Sequence, residues 1–342
     1  MCDSEKALVS VIITTFHNES YLPRAIESVL NQSYSEIELI VVDDNNPESR
    51  ARYETERVMR RYPQVKYLRH SENRNGAAAR NTGIQAARGK YIAFLDNDDV
   101  YFSNHIDSCV RALEDHPDYG CVLCNVVKIC KGLCWDLIRV SEGEIEENLL
   151  FSETALGTGS NLFVRTDIIR AIGGFDESFL RHQDVEFSLR LFDICKAYCI
   201  DQVQIVKEMD GFSNAPDFEH FLKTKQHLWE KFDFKLNLLT EQERCRYFAG
   251  QYSALLYAAC KGENRQHIQW TVSQIKKYRS MNKKEKLLVM LSRMHLFFVY
   301  EGLKTGIKRK KSDAIYKIII SDLPDNDLQI FIQTLSGVKG RR

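Results

Sequence analysis

Features that would place this chain in a membrane or on nucleic acid are absent from its sequence. No apolar run approaches the roughly 20 residues that a membrane-spanning helix needs. Lysine plus arginine equal aspartate plus glutamate at 47 each, so the formal net charge is zero and indicates no charged partner. A strand pattern starts by Leu8 without a charged and apolar leader before it, which predicts a cytoplasmic protein without a secretory signal.

The dinucleotide-binding fingerprint is also missing, although the first 127 residues alternate between strand and helix patterns. Apolar runs at Val9–Thr15, Ile37–Val42 and Tyr91–Leu95 predict buried strands, and helical patterns separate them. This alternation predicts an α/β fold with a mainly parallel sheet. No Gly-x-Gly-x-x-Gly motif follows the first strand, which argues against a dinucleotide cofactor.

Strand patterns nearly vanish after about residue 216, where the sequence becomes helical. The turn-rich stretch 211–217 marks the predicted boundary. We therefore expect one domain over 1–212, with halves 1–127 and 128–212, and a helical C-terminal region over 213–342. The predicted helices of that region are 218–232, 240–261, 266–278 and 283–303.

Polar side chains follow three of the predicted strands at the points where the strands end. These groups are Thr15–Glu19, Asp43–Asp44 and Asp96–Asp99. Open α/β sheets bind ligands at the carboxyl ends of their strands, so the three groups are expected to share one crevice. Carboxylates suit Mg²⁺ or Mn²⁺, and such an ion suits a phosphate-bearing substrate. Turn formation and helix capping are the competing roles for the same residue types.

Several segments together resemble the family 2 glycosyltransferases over roughly residues 7–210. The matching segments, in the order of the family's motifs, are VSVIITTFHNE at 9–19, SVLNQSY at 28–34, ELIVVDD at 38–44, NRNGAAARNTG at 73–83, FLDNDD at 94–99, GGFDE at 173–177 and HQDVEFSLR at 182–190. The resemblance implies a GT-A fold, which is Rossmann-like with a mainly parallel sheet flanked by helices. It also implies an inverting transferase that uses a nucleotide-sugar donor.

The resemblance assigns residues of the first half to the nucleotide. Thr15, Phe16 and Glu19 would line the base and ribose, while packing of Phe16 in the core is the alternative. Asp43 would accept hydrogen bonds from the base. Arg80 would approach the nucleotide or its diphosphate, because a planar guanidinium suits phosphate oxygens.

The acidic segment and the later helix complete the implied site. Asp98 would ligate the Mn²⁺ or Mg²⁺, and Asp96 would contact the ribose or the ion through water, whereas Asp99 is expected to cap the next turn. Asp184 would be the general base, with Glu186 as the rival base and His182 on the acceptor side. Capping of the helix is the alternative role of Asp184.

The sequence departs from the family pattern after the later helix. Many members carry a histidine there that helps hold the metal or the diphosphate, whereas residues 206–213 contain none. Asp210 or Ser213 would be the substitutes. The resemblance therefore leaves the remaining ligands of the metal open.

Residues 275–311 are strongly basic, with twelve lysines or arginines and two glutamates. An amphipathic helix on an anionic membrane surface is one interpretation, and it would suit an acceptor sugar carried on a lipid diphosphate. A packed helix with a solvated basic face is the other. Nucleic acid is disfavoured as a partner because no binding motif accompanies the charge.

Together these patterns predict a metal-dependent, inverting hexosyl- or N-acetylhexosaminyl-transferase. It would move a sugar from a UDP-sugar to a hydroxyl of a saccharide, in the synthesis of a capsule, O-antigen or similar surface polysaccharide. A nucleotidyltransferase on a related sheet and a sugar-nucleotide-binding protein without activity are the alternatives.

Overall fold

The computed structural model describes residues 6–17, 20–152, 155–209 and 217–337. Within these residues the strands β1 to β9 are Val9–Thr15, Ile37–Asp43, Lys66–Arg69, Tyr91–Asp96, Asp99–Tyr101, Tyr119–Cys130, Leu133–Ile138, Phe163–Arg165 and Lys196–Met209. The helices α1 to α14 are Leu22–Leu30, Arg50–Met59, Gly76–Ala86, His105–Asp115, Ile145–Phe151, Thr166–Ala171, Gln183–Leu191, Phe218–Lys231, Asp233–Leu238, Glu241–Lys261, Arg265–Tyr278, Lys283–Arg293, Phe297–Asp322 and Asp325–Gly337.

One sheet organises the strands in the order β3-β2-β1-β4-β8-β6-β9-β5, with β7 paired to β6. The first four strands are parallel, and their register sets Thr15 beside Asp43 and Thr14 beside Asp96. Their polar ends therefore meet at one edge of the sheet. The second half mixes parallel and antiparallel pairs, and β5 lies antiparallel to β9. The predicted α/β fold with a helical C-terminal region is confirmed.

Close packing of α3 against β1 depends on the absence of a side chain at Gly83. A Cβ atom at this position would lie 2.4 Å from Cγ2 of Ile12, which is closer than real Cβ contacts occur. The buried residues of α3 are mostly small, with Ala77, Ala78 and Ala79 in succession. The helix can thus approach the sheet closely enough to fix the position of Arg80, which it carries.

The described residues form two compact units, 1–210 with 312–342, and 211–311. In the first unit, Ile319 and Phe331 share an apolar cluster with Val100, Val127 and Val206 of the sheet. In the second unit, the core is built from apolar residues of α8 and α10 to α13, including Leu255, Leu256, Ile268, Ile275 and Leu288. The domain limits expected at residues 212 and 213 remain a prediction. The packing also groups the helical residues from Ser312 onward with the sheet.

Several details differ from the predicted elements, and the helices α5, α9 and α14 were not predicted. The single helix expected over 283–303 is divided, because α12 ends at Arg293, α13 begins at Phe297 and His295 between them has a left-handed φ of 58°. The strands β5 and β7 were not predicted, since each is short and lacks a clear apolar alternation. Among the described helices, none combines the length and the apolarity needed to cross a bilayer.

His105, at the start of α4, is a buried ionisable group of the sheet unit. Its ring lies 4.1 Å from that of Tyr101, centroid to centroid, and its Nδ1 is 3.1 Å from Oε1 of Gln204. Burial lowers the pKa of His105 to about 4. The unfolded chain takes up this proton near the ordinary pKa of about 6.5, so the folded state loses stability as the pH falls from there towards 4.

We expect the His105→Gln variant to show a weaker acid destabilisation than the wild type. Between pH 7 and 4.5 the buried neutral imidazole accounts for about 2 kcal/mol of the loss in unfolding free energy, and glutamine has no such proton to bind. Urea denaturation at both pH values measures the difference. The exposed His116 provides the control, because His116→Gln should keep the wild-type pH dependence. Equal pH dependence in all three proteins would contradict the assignment.

Candidate active site

Three carboxylates gather where β4 ends and β5 begins. Asp96 is the last residue of β4, and Asp99 is the first of β5. Asp96, Asp98 and Asp99 each have a carboxylate oxygen within 4.8 Å of an oxygen of the other two. The expected capping role of Asp99 is wrong, because the residue pairs across the sheet with Lys207 of β9.

Asp99 is buried with only part of its hydrogen-bonding capacity used. Its Oδ2 accepts hydrogen bonds from Oγ1 of Thr158 and Oγ of Ser160, both at 2.6 Å. Its Oδ1 is buried and accepts no hydrogen bond from the described residues. Burial is the main reason that the pKa of Asp99 is raised. An unsatisfied buried carboxylate oxygen beside two further carboxylates fits a cation.

Lys207 brings one positive charge close to these carboxylates. Its Nζ donates a hydrogen bond of 3.1 Å to Oγ1 of Thr158. Burial disfavours the ammonium, yet the charges of Asp99, Asp96, Asp98 and, more weakly, Asp184 raise the pKa of Lys207 above its ordinary value. Lys207 was missed in the sequence, where it simply follows the apolar pair Ile205–Val206 and is itself followed by Glu208.

Arg80 connects the acidic cluster to the start of α7. Its Nη2 donates to Oδ1 of Asp96 at 2.6 Å, and its Nη1 donates to Oε1 of Gln183 at 2.9 Å. The guanidinium also lies 5.4 Å from the ring centroid of Phe175. Burial opposes ionisation of Asp96, but Arg80 and Lys207 outweigh it and hold the pKa of Asp96 below its ordinary value.

Asp98 is less well compensated than Asp96. Burial, followed by the negative charges of Asp99 and Asp96, raises the pKa of Asp98 to about 8. Arg24 donates to the backbone carbonyl of Asp98 at 3.1 Å, and it also forms an ion pair with Glu208. The cluster therefore carries more negative charge than its basic neighbours neutralise.

Asp184 lies in the first turn of α7, beside the same cluster. The preceding His182 has a left-handed φ of 57°, which turns the chain into the helix. A Cβ atom on Gly159 would lie 3.5 Å from Cβ of Asp184 and 3.4 Å from Nη2 of Arg80. The short 3-10 turn Gly159–Asn161 thus lies next to the side chains of Asp184 and Arg80. The same turn contains Ser160.

Glu186, the rival base, points into the protein. It is fully buried, and its two oxygens accept hydrogen bonds from Nε and Nη2 of Arg190 at 2.5 and 2.8 Å. Arg190 in turn donates to the carbonyls of Ile172 and Gly174 at 2.7 and 2.8 Å. The pair holds α7 against the turn that precedes it.

An exposed aromatic residue, Phe16, directly follows β1 at this edge of the sheet. Phe16 is 46% exposed, and its ring centroid lies 4.1 Å from that of His17. Thr15 is buried and accepts a hydrogen bond of 2.9 Å from Nδ2 of Asn97, which also donates to the carbonyl of His17 at 3.0 Å. Asn97, unassigned in the sequence, thus ties the β1 end to the acidic segment. Glu19 lies outside the described residues, as do Asp210 and Ser213.

Asp43 lies at the same edge but is fully buried beneath it. Its Oδ1 accepts from the backbone and side-chain nitrogens of Asn45 at 2.9 and 2.8 Å. Its Oδ2 accepts from the hydroxyl of Tyr67 at 2.5 Å and pairs with Nε of Arg52 at 3.0 Å. A base would therefore contact this carboxylate only after one of these partners is displaced.

The adjacent Asp44 organises the loop before α3, a role that its sequence position did not reveal. Its Oδ1 accepts from the backbone N–H of Arg74 at 2.8 Å and lies 2.7 Å from Nδ1 of His70. Its Oδ2 accepts from Nδ2 of Asn73 at 2.8 Å and from the backbone N–H of Asn75 at 2.9 Å. Asn75 then caps α3 by accepting from the N–H groups of Ala77 and Ala78.

Comparison with known proteins gives matches to sugar transferases. Residues 10–173 match the model described as Glycosyl transferase family 2. An uncharacterized glycosyltransferase of Rickettsia prowazekii is 28% identical over 243 residues, which covers 69% of this chain and 74% of the relative. One of Methanocaldococcus jannaschii is 26% identical over 252 residues, covering 71% of this chain and 83% of the relative.

A solved structure shares the fold. The crystal structure of S. aureus TarS 1-349 in complex with UDP-GlcNAc has a TM-score of 0.60 at 15% identity, covering 89% of this chain and 92% of that chain. This likeness confirms the GT-A type of fold. With the family match and the named relatives, it leads to one conclusion: residues 10–173, just under half of the chain, form a glycosyl transferase family 2 domain.

Proposed function

We propose that this glycosyltransferase is inverting and metal-dependent, and that it moves a sugar from a UDP-sugar to a saccharide hydroxyl. The observation that carries the proposal is the convergence of Asp96, Asp98, Asp99, Asp184 and Lys207 on one edge of the sheet. An acidic cluster beside a further carboxylate provides both a cation site and a proton acceptor. A binding protein would need only the first of these.

The donor set of the acidic cluster suits Mn²⁺ or Mg²⁺. Asp96, Asp98 and Asp99 offer hard oxygens close together, and the buried Oδ1 of Asp99 is available for a ligand. We assign Asp98 as the principal ligand because it ends the Asp-x-Asp segment 96–98 that resembles the metal-binding segment of the family, and its oxygen lies close to those of Asp96 and Asp99. When bound, the ion supplies positive charge to the departing diphosphate.

Arg80 and Lys207 support the same role from the protein. Arg80 is held by Asp96 and Gln183, so its guanidinium is positioned before any donor binds. Lys207 carries its charge into the cluster from β9. We propose that these two cations stabilise the developing charge of the nucleoside diphosphate.

Asp184 is the general base in our proposal. It would take the proton of the acceptor hydroxyl while that oxygen bonds to the anomeric carbon. The bond from this carbon to the diphosphate oxygen breaks, and UDP departs with the electron pair on the opposite face, which inverts the anomeric configuration. The bidentate pairing of Glu186 with Arg190 supports Asp184 over Glu186 for this role.

Phe16 is our candidate for contact with the base, because an exposed aromatic face at the end of β1 suits stacking. Thr15 and Asp43 would support this region from beneath. The UDP-GlcNAc bound by TarS, which shares the fold, supports a UDP-sugar as the donor. We further propose a saccharide acceptor in surface polysaccharide synthesis, carried on a lipid diphosphate, since the basic residues 275–311 would suit such a carrier.

We expect Asp98→Asn to abolish stabilisation by Mn²⁺ without lowering the stability of the metal-free protein. The substitution removes one of three mutually repelling carboxylates, so the metal-free variant should melt at or above the wild-type temperature. Saturating Mn²⁺ should raise the wild-type melting temperature by roughly 3 °C or more and leave the variant unchanged. Thermal unfolding with and without Mn²⁺ measures both effects.

The matched control replaces the exposed Asp118, which lies between α4 and β6, with asparagine. Asp118→Asn should retain the full response to Mn²⁺. If Asp98→Asn responds as the wild type does, the cation does not bind at this cluster.

Replacing Asp184 with asparagine should separate donor binding from transfer. Asparagine keeps the shape of the side chain but cannot accept the acceptor proton, so transfer should fall by about 10²- to 10⁴-fold. UDP affinity in the presence of Mn²⁺, measured by calorimetry, should change less than about threefold.

Asp193→Asn, just beyond the end of the same helix, is the control and should keep normal transfer. Glu186→Gln should instead lower the melting temperature, because it leaves Arg190 without its carboxylate partner. Normal transfer by Asp184→Asn would show that another group acts as the base.

A panel of nucleotide-sugars tests the reaction class. We expect metal-dependent release of UDP from at least one UDP-sugar once a saccharide acceptor is present. Product chromatography distinguishes this from the release of pyrophosphate, which would support nucleotidyl transfer. Tight UDP binding without turnover of any donor would instead support a binding protein.

A further inference from the structure

Helix α12 presents large apolar side chains to solvent. The exposed residues are Leu287, Met290 and Met294, which follow one another at intervals of three and four residues. Met294 is the C-cap residue, directly after the last helical residue. This spacing sets them on one face of the helix. Other positions of the helix face the protein, because Leu288 and Leu291 are buried.

The first half of α13 also exposes large apolar side chains, but not as a single stripe: Leu303 and Ile307 share one face, whereas Phe298 lies on another. Phe298, Leu303 and Ile307 are 68%, 60% and 58% exposed. Cβ atoms added to Gly302 and Gly306 would meet nothing within 4 Å, so the described residues leave open space there. Isolated exposed apolar residues are ordinary, but a recurrent series over two successive helices indicates a surface that contacts something apolar.

The same segment concentrates positive charge. Residues 275–311 hold twelve lysines or arginines and two glutamates, a formal surplus of ten charges. Both glutamates are engaged locally: Glu285 is buried and pairs with Arg279 at 2.6 Å, and Glu301 lies 3.8 Å from Nζ of Lys304. They therefore do little to neutralise the exposed basic residues, among which are Lys283, Lys284, Lys286, Arg293, Arg309, Lys310 and Lys311.

Positive charges from the two helices also come close to each other. Burial lowers the pKa of Lys304, whereas the negative charge of Glu301 raises it. The positive charges of Lys284 on α12 and Lys308 on α13 lower it further, so the pKa stays below its ordinary value. The positive field thus belongs to a common region of the compact unit 211–311 and not to a single helix.

We propose that α12 and residues 297–311 of α13 form a docking surface for an anionic lipid bilayer. We call these residues the basic apolar surface. Apolar side chains enter the boundary between headgroups and acyl chains, while lysine and arginine bind the anionic headgroups around them. The helices lie on the bilayer and do not cross it.

Other occupants fit this surface less well. A solvated basic face does not require Phe298, Leu303 and Ile307 in water. Nucleic acid would use the charge but would leave the aliphatic residues exposed. A second copy of the chain would bring two surpluses of ten positive charges together, which repel. Only the bilayer satisfies both the apolar and the basic side chains.

The test uses co-sedimentation of the full chain with vesicles, without any donor sugar, so it does not depend on the proposed catalytic function. Vesicles of phosphatidylcholine are compared with vesicles that contain about one-third phosphatidylglycerol. We expect binding to the anionic vesicles at least tenfold tighter than to the neutral ones, and weaker binding at high salt. The double variant Leu303→Ser, Ile307→Ser and the triple variant Arg309→Gln, Lys310→Gln, Lys311→Gln should each lose roughly tenfold in affinity.

Matched controls separate this surface from general stickiness. Phe234→Ser with Leu238→Ser removes two exposed apolar residues at the same spacing from α9, and Arg57→Gln with Arg60→Gln and Arg61→Gln removes three charges from the α2 region. Both controls should bind as the wild type does, and thermal melts confirm that all variants fold. Equal binding to neutral and anionic vesicles, or equal losses in variants and controls, would overturn the proposal. So would a concentration-dependent dimer in sedimentation velocity that the double variant abolishes while vesicle binding persists.

Discussion

Excess negative charge at the carboxyl end of β4 is the constraint on which the arrangement of this site depends. Asp96 and Asp99 are carried into the sheet edge by the strands themselves, so their desolvation has to be offset by nearby groups. Arg80, which lies on α3, compensates the negative charge of Asp96, and Lys207, which lies on β9, compensates that of Asp99. Removing one partner of such a buried pair typically costs about 3–5 kcal/mol, so this balance also holds α3 and β9 in place.

The balance is incomplete, and the function that we propose depends on this incompleteness. Arg80 and Lys207 partly compensate three closely spaced carboxylates, with Asp184 a little further away, and Lys128 of β6 also interacts electrostatically with Asp99 and Asp184. The raised pKa of Asp98 is the sign of that deficit. A site built only for stability would have neutralised every carboxylate, as the buried pair of Glu186 and Arg190 does on the neighbouring helix. This contrast distinguishes the cluster that we propose as a metal site from a structural pair.

Local sequence patterns predicted most of the first unit because most of its strands and helices carry their own apolar period. They also predicted that Asp96 and Asp98 follow a buried strand. They could not predict Lys207, Thr158 and Ser160, since these reach the cluster only through the pairing of β5 with β9 and the turn at Gly159. Contacts between residues so far apart leave no signal in a single sequence.

The C-terminal helices show the same limit in another form. Periodicity predicted helix throughout 283–303 because both α12 and α13 fit it, and the left-handed His295 between them has no local signature. Helical pattern alone also did not reveal that Ile319 and Phe331 pack with Val100 and Val206 of the sheet. An amphipathic period shows that a helix has an apolar face, but it does not show which surface covers it.

The hydrogen bonds that Asp44 accepts from residues 70–75 have a consequence for the timing of ligand binding. Fixing a loop residue removes conformational entropy worth about 1–2 kcal/mol at room temperature. Here the loop that leads into α3 is fixed during folding, by a carboxylate that is already in place when β2 ends. An incoming ligand that meets this loop therefore finds it ordered, and the freedom of these residues has been given up before the encounter.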